Sequence, residues 1–522
     1  MGQKVKLKIH IFHKIGSYPR RTRMSTNSKD FFEAAKAIAE RIRARDFNKI
    51  VIISHIDADG LTAASIASLL LQHEEQNHEV KFIKQLDESV IEELQKLKNT
   101  SSKSNEFLFW FTDLGSGMSK EINKFNPIIT DHHAPSISNY DIPLQARTDL
   151  VTFSSTLEEQ QDSYHLNPHL YNLDGTYDIS GAGTVYLVAK AMNSKNMNLA
   201  HLAIIGAVGD LQDSRFRKLT GTNRKILKDA KKNGTIKVKM DISSFGRETR
   251  PLQNIIQYST DPYFPGLTMN EANCLKFFKK LNIPIRSNGK MRVWVDLTKD
   301  ERRIILSTLM ELLLTKGIGH KNAKRLLGEV YILPNEKIGT TLHDAKEFAT
   351  LLNSCGKYNK PEIGYNICLG DRGEHLNSAL HLLKGHRSVL VEGMQYIKDL
   401  GIINHGAIQY FDAGDKIPDN IVGTIASMLL SNSEANQDKP IFGFVLAEDG
   451  KGLKVSGRTT RTLVNMGVDL SQVMRQISEA FGSGSVGGGH DIAAGATIPQ
   501  DKQQEFLKLA NEIIQKQLAK RY

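Results

Sequence analysis

Cysteine is scarce in this chain. Cys274, Cys355 and Cys368 are its only thiols in 522 residues, an odd number without Cys-x-x-Cys spacing. That excludes a disulfide framework and a zinc ribbon, and leaves buried thiols as the expectation. Long apolar runs are missing as well. None approaches the ~18 residues that span a bilayer, and the first residues lack an apolar segment followed by a small-residue cleavage site. A cytoplasmic protein without a membrane partner is expected. No Gly-Lys-Ser/Thr occurs, and Gly181-Ala182-Gly183 is too short for a dinucleotide fingerprint, so neither a P-loop nor a Rossmann site is expected. Acids are in deficit: 68 Lys+Arg face 57 Asp+Glu, a formal charge of +11 with a pI near 9.2. Such a field draws polyanions, nucleic acid among them.

Apolar residues make up 40% of the chain and charged residues 24%, the balance of a globular protein. The length predicts roughly three units of about 150 residues. A basic, irregular arm with Arg20, Arg21 and Arg23 covers 1–27. A catalytic α/β unit follows over 28–225, then a mainly helical, basic connector over 226–374, then a smaller α/β unit over 375–522. Connector cations such as Arg247, Arg302 and Arg325 are expected to line a cleft between the outer two units.

The catalytic unit is organised around Val51-Ile52-Ile53-Ser54-His55-Ile56-Asp57-Ala58-Asp59-Gly60. A β-branched apolar run reads as a buried parallel strand, and the apolar residues from Leu61 to Leu71 read as the helix after it. A preceding helix is expected over Lys29 to Arg45. In open α/β sheets ligands gather at the carboxyl ends of the strands. Two more strands end in the same kind of residue: Phe107 to Phe111 leads to Asp113, and Ile128-Ile129-Thr130 to Asp131-His132-His133. Ser180-Gly181-Ala182-Gly183 opens a further helix, and an apolar helix from Leu199 to Val208 delivers Asp210.

His55, Asp57, Asp59, Asp113, Asp131, His132, His133 and Asp210 thus stand together at element ends. Carboxylate and imidazole without thiolate suit Mn²⁺ or Mg²⁺. Two such ions about 3.5–4 Å apart hold a phosphoryl group and activate a water, the requirement of phosphoester hydrolysis. In the last unit, Ile441 to Ala447 and Gly452 to Val455 read as a β-hairpin, with Arg458 just beyond it. Gly487-Gly488-Gly489-His490 reads as a turn whose backbone amides can cradle a phosphate, with His490 and Arg458 adding charge-assisted contacts.

On these motifs the chain resembles the DHH phosphoesterase family, and within it the archaeal type of RecJ-like single-strand exonuclease. The matching residues are His55-Ile56-Asp57-Ala58-Asp59-Gly60, Asp113, Asp131-His132-His133, Asp210, the helix from Ser180, Asp344-Ala345-Lys346-Glu347-Phe348-Ala349, and Gly487 to His490. The resemblance implies an α/β fold: a parallel-sheet DHH catalytic domain, a helical connector and a smaller α/β DHH-associated domain that binds substrate. It implies two divalent ions, Mn²⁺ or Mg²⁺, one on His55, Asp57 and Asp113 and one on Asp59, Asp113, His132 and Asp210. Asp131 would orient His132, and His133 would contact the scissile phosphate. Some branches of the family place a His where this chain has Ile53, with His55 here as its replacement. The implied function is an exonuclease on single-stranded DNA or RNA, in replication or repair, with a GINS-type replication complex as a further partner. Two alternatives stand beside it: a phosphodiesterase or pyrophosphatase for small substrates such as nanoRNA or cyclic dinucleotides, and a non-catalytic scaffold at the replication fork.

Overall fold

The computed structural model describes residues 26–99, 107–135, 164–259, 261–316, 319–431, 434–447, 450, 452–482 and 485–519. Most of the expected basic arm lies outside these residues; Thr26 and Asn27 already begin the first helix, α1 (Thr26–Arg43). The catalytic half is built on a parallel five-stranded sheet of order β2-β1-β3-β4-β5. These strands are β1 (Lys49–His55), β2 (His78–Ile83), β3 (Phe107–Thr112), β4 (Ile128–Thr130) and β5 (Tyr164–Leu166).

Strand β1 is central because both of its faces are apolar. Ile50 and Ile52 pack into one core with helices α2 (Ala58–His73), α4 (Gly181–Met192) and α5 (Ala200–Gly209), whereas Val51 and Ile53 join Phe109, Phe111 and helix α3 (Glu88–Asn99) on the other. Alternate residues of a strand point to opposite faces, so one β-branched run fills two layers. The carboxyl ends of β1, β3 and β4 therefore lie side by side, with His55, Asp113 and Asp131 just at or beyond them.

The connector is less uniformly helical than its sequence suggests. Strands β6 (Lys237–Ile242) and β7 (Leu327–Ile332) form an antiparallel pair beside a separate core drawn from residues 242–326, with Trp294, Phe264 and Phe278 at its heart. Three of its arginines are engaged within the lobe: Arg247 pairs with Asp241 and Asp344, Arg302 lies near Asp241, and Arg325 binds Asp261. These three are held by acids of the connector itself. Residues 342–383 then rejoin the catalytic core through helices α6 (Ala345–Lys357) and α7 (Pro361–Cys368), which bring Phe348, Leu352, Cys355 and Ile367 against α2. All three cysteines are free and buried.

The last part is a six-stranded mixed sheet. The expected hairpin is present as β8 (Ile441–Leu446) and β9 (Leu453–Arg458), in register from Ile441↔Arg458 to Leu446↔Leu453. The glycine stretch departs from expectation: Val486–Gly489 is no turn but an edge strand, β10, paired with β11 (Ala493–Ile498). Gly487, Gly488 and Gly489 face Ala496, Gly495 and Ala494, so most of this ladder carries nothing larger than a methyl group. Among the described residues no helix is long and apolar enough to cross a membrane.

Candidate metal centre and phosphate grip

Four loops deliver the acidic cluster. Asp57 caps α2: one carboxylate oxygen accepts from the Gly60 amide at 2.9 Å, and the other lies 2.9 Å from His55 Nδ1. Gly60 is required here, because a Cβ would stand 2.3 Å from the His55 carbonyl oxygen. Asp59, two residues on, accepts from the amides of Gly181 at 2.6 Å and Ala182 at 3.1 Å, so it faces the N-terminus of α4. Asp113 sits in the left-handed region at φ 60. A non-glycine residue is held there only when its surroundings impose it, and such strain gathers at functional sites.

Asp113 occupies the middle. One of its oxygens is 3.8 Å from His55 Nδ1, the other 3.3 Å from His132 Nε2. His132 Nε2 also lies 3.0 Å from Asp210 and 3.7 Å from Asp59. Ligand atoms of His55, Asp57 and Asp113 form one group within 4.8 Å of one another, those of Asp59, His132 and Asp210 a second, and those of Asp113, His132 and His133 a third. His55 Nδ1, both Asp113 oxygens and His132 Nε2 are buried without a hydrogen bond of proper geometry. Buried polar atoms are normally satisfied, and orphans of this kind, all oxygen or imidazole nitrogen, fit the donor set of a divalent cation.

The electrostatics agree. Burial, then Asp210, pushes the Asp59 carboxyl up to about 7, and burial with Asp59 and Asp57 holds Asp113 well above the usual carboxylate range. Burial opposes a charged His55, yet Asp57 and then Asp210 push it up to about 9. Crowded carboxylates that resist ionisation in this way are eased by a nearby positive charge.

Asp131 plays a different part from the one expected. Its Oδ1 accepts from the His133 ring at 2.8 Å and from the His132 and His133 backbone amides, and its Oδ2 accepts from Ser116 N at 2.9 Å. It therefore orients His133, not the His132 ring. That ring is held instead by the Gly175 carbonyl, 2.7 Å from Nδ1, which is itself fixed by Gln212 Nε2 at 3.0 Å.

The second half of the site comes from the C-terminal sheet. His490 closes the β10–β11 hairpin, its amide donating to Ala493 O at 2.8 Å, and its ring stacks on His133 with centroids 5.9 Å apart. Arg458 lies over the first turn of helix α8 (Val422–Ser431), donating to Ser427 Oγ at 3.1 Å. Lys357, the last residue of α6, donates to Thr424 Oγ1 at 2.9 Å, three residues earlier in the same helix. Burial lowers Arg458 to about 10, and burial together with Arg458 lowers Lys357 to about 8; no carboxylate offsets either shift. Two cations thus lie close together near a helix N-terminus, where an anion would be favoured.

A DHH-CID domain model matches residues 244–327, and a DHHA1 domain model matches residues 404–516. MJ0831, an uncharacterized protein of Methanocaldococcus jannaschii, is 31% identical over 497 residues, which span 95% of this chain and 100% of that one. In structure, RecJ from Thermus thermophilus in complex with Mn²⁺ matches with a TM-score of 0.52 at 16% identity, over 94% of this chain but only 55% of its own. CDC45 from Entamoeba histolytica matches with a TM-score of 0.60 at 13% identity, over 93% of this chain and 99% of its own. This chain belongs to the DHH family and has a RecJ-like fold.

Every site residue expected from the sequence of this DHH protein is brought to one of two places: the acidic cluster with His133, or the C-terminal sheet facing it. Lys357, Gly175 and Gln212 were missed. Lys357 carries no local signal, being one lysine after a glycine in a basic connector. Gly175 and Gln212 act through a carbonyl and an amide that reach His132 only in the folded chain.

Proposed function

We propose that this protein is a metal-dependent phosphodiester hydrolase acting as an exonuclease on single-stranded DNA or RNA. The observation that carries this reading is the split of Asp113, one oxygen toward His55 and Asp57 and the other toward His132. That arrangement suits two divalent ions, Mn²⁺ or Mg²⁺: one on His55, Asp57 and Asp113, the other on Asp59, Asp113, His132 and Asp210. When bound, such ions polarise a phosphoryl oxygen and lower the pKa of a water.

The chain's own groups do the rest. Asp131 fixes the His133 ring through Nδ1, leaving Nε2 to face the scissile phosphate and, in the imidazolium form, to donate to its developing charge. His490, stacked beside it, closes the same contact from the other domain. Arg458 and Lys357 hold a second phosphate against the first turn of α8. A grip set apart from the ions favours a substrate with several phosphates over pyrophosphate or a minimal diester. The orphaned ligand atoms weigh against a purely scaffolding role. A GINS-type complex is proposed as a partner on the resemblance alone, and co-purification tests it.

The deciding experiment incubates end-labelled single- and double-stranded DNA and RNA with Mn²⁺ or Mg²⁺. A ladder growing from one end of single strands is expected. Cleavage of small diesters alone, or of nothing, overturns the reading.

A further inference from the structure

The turn after Asp210 carries an apolar rim that the metal centre does not use. Leu211 is 61% exposed and Phe216 52% exposed, although each lies within six residues of a ligand aimed inward. Leu211 also adopts φ 57, a left-handed conformation that a leucine takes only under constraint. The constraint is visible. Leu211 N donates to Val208 O at 3.1 Å, Gln212 N to Ala207 O at 3.0 Å and Ser214 N to Leu211 O at 2.9 Å. The Gln212 side chain is buried and tied to Gly175 O and Ile179 O. Asp210 is thus turned in and Leu211 turned out by one rigid turn.

Beside it runs a ladder of alternating guanidinium and aromatic groups. Arg461 lies 5.8 Å from the Tyr177 ring centroid, donates to Tyr177 Oη at 2.5 Å and pairs with Asp491, the neighbour of His490. Arg215 lies 5.2 Å from the same Tyr177 ring and 5.1 Å from the ring of Phe216. The order is Arg461, Tyr177, Arg215, Phe216, and the last ring is the exposed one.

We propose that Leu211, Arg215 and Phe216 form a platform on which an unpaired nucleobase of the bound strand stacks. The occupant follows from the chemistry of the ladder: cation–π contacts continue naturally onto a flat, electron-rich ring, and the guanidiniums suit the phosphates that accompany it. The platform rests on the nuclease reading and adds a reason for strand selection. In a duplex both faces of a base are covered by its neighbours, so only a single strand has a face to offer. Stacking of this kind tolerates any base.

The test uses oligonucleotides with one abasic site placed at successive positions from an end, binding being measured by fluorescence anisotropy in Ca²⁺ or without metal to prevent cleavage. For the wild type one position is expected to weaken binding about tenfold, on the scale of ~1–3 kcal/mol per stacked base. In Phe216→Ala the intact oligonucleotide should bind as weakly as that abasic one does to wild type, and the abasic site should cost nothing further. Phe216→Trp should restore the difference. Unchanged thermal midpoint and Mn²⁺ affinity will show that Phe216→Ala is folded. A full abasic penalty in Phe216→Ala, or unaltered affinity for the intact strand, overturns the platform. If the wild type binds strands with that penalty but cleaves none, the nuclease reading fails and the platform stands; if it binds no oligonucleotide, both fall.

Discussion

Two buried clusters of charge lie in this protein, and they are finished in opposite ways. At the joint between the accessory lobe and the catalytic core, Asp241 accepts from Trp294 Nε1 and from its neighbour's amide with one oxygen and from Arg247 with the other. Asp344 caps α6 with one oxygen and binds Arg247 with the second. Each carboxylate oxygen has its donor. In the acidic cluster, Asp113 and His132 present buried atoms to one another and to nothing that satisfies them. In the first cluster the opposite charge comes from the chain's own Arg247, although its Nε is left without a partner; in the second the acids face one another and two imidazoles, an arrangement that suits a bound cation.

Mutation should separate the two most sharply. Asp113→Asn is expected to abolish hydrolysis, a loss of about a thousandfold or more, while the metal-free protein becomes no less stable, because one of several mutually repelling carboxylates is gone. Arg247→Ala should do the reverse, costing about 3–5 kcal/mol of stability by leaving Asp241 and Asp344 buried and unpaired. Denaturant unfolding alongside an activity assay reads both. A strongly destabilised Asp113→Asn would erase the contrast.

Metal addition gives a smaller effect with the same logic. At a concentration of 100 Kd, Mn²⁺ should stabilise the wild type by about 2.7 kcal/mol. Arg247→Ala should gain the same increment from its lower baseline, and Asp113→Asn should gain little. Removal by chelator should reverse the shift in the thermal midpoint.

The most gradual effect is a slope in pH. Burial, with Asp344 next, pushes Glu347 up to about 7 from an ordinary carboxylate value. An acid raised in the folded state is easiest to bury when protonated, so its cost is absent at low pH and grows as pH rises from about 4.5 to about 7. Glu347→Gln should flatten stability over that window and leave the Mn²⁺ increment alone. A slope unchanged in the variant would assign it elsewhere.

The sequence disclosed the acidic cluster far better than the grip opposite it. Asp57, Asp113 and Asp131 lie where β-branched or aromatic runs stop, and a parallel sheet brings such ends together, so pattern alone predicts their meeting. The fold class and the C-terminal hairpin were legible for the same reason. Gly487 to Gly489 misled, because glycine signals a turn more often than a bare edge strand, and only pairing with Ala493–Ile498 distinguishes them. The pairing of Asp131 with His133 was hidden by adjacency: three neighbouring residues allow either imidazole, and the choice falls to the carbonyl of distant Gly175. The connector's cations resisted reading because a charge count does not reveal which acids face them.

Helix α6 has one more consequence, and it concerns the order in which the chain is made. Asn353 accepts the Ala58 amide at 2.8 Å, directly behind Asp57, and Gly356 packs so close to Ile56 that a Cβ would stand 2.0 Å from its carbonyl oxygen. The turn that opens the acidic cluster is thus backed by residues synthesised some three hundred positions later. A nascent chain emerging from the ribosome holds all its ligands once Asp210 is out, but the wall behind the first of them arrives only with Gly356. Until then the residues of the acidic cluster are all present while the turn that opens it has no backing, a delay written into the connectivity.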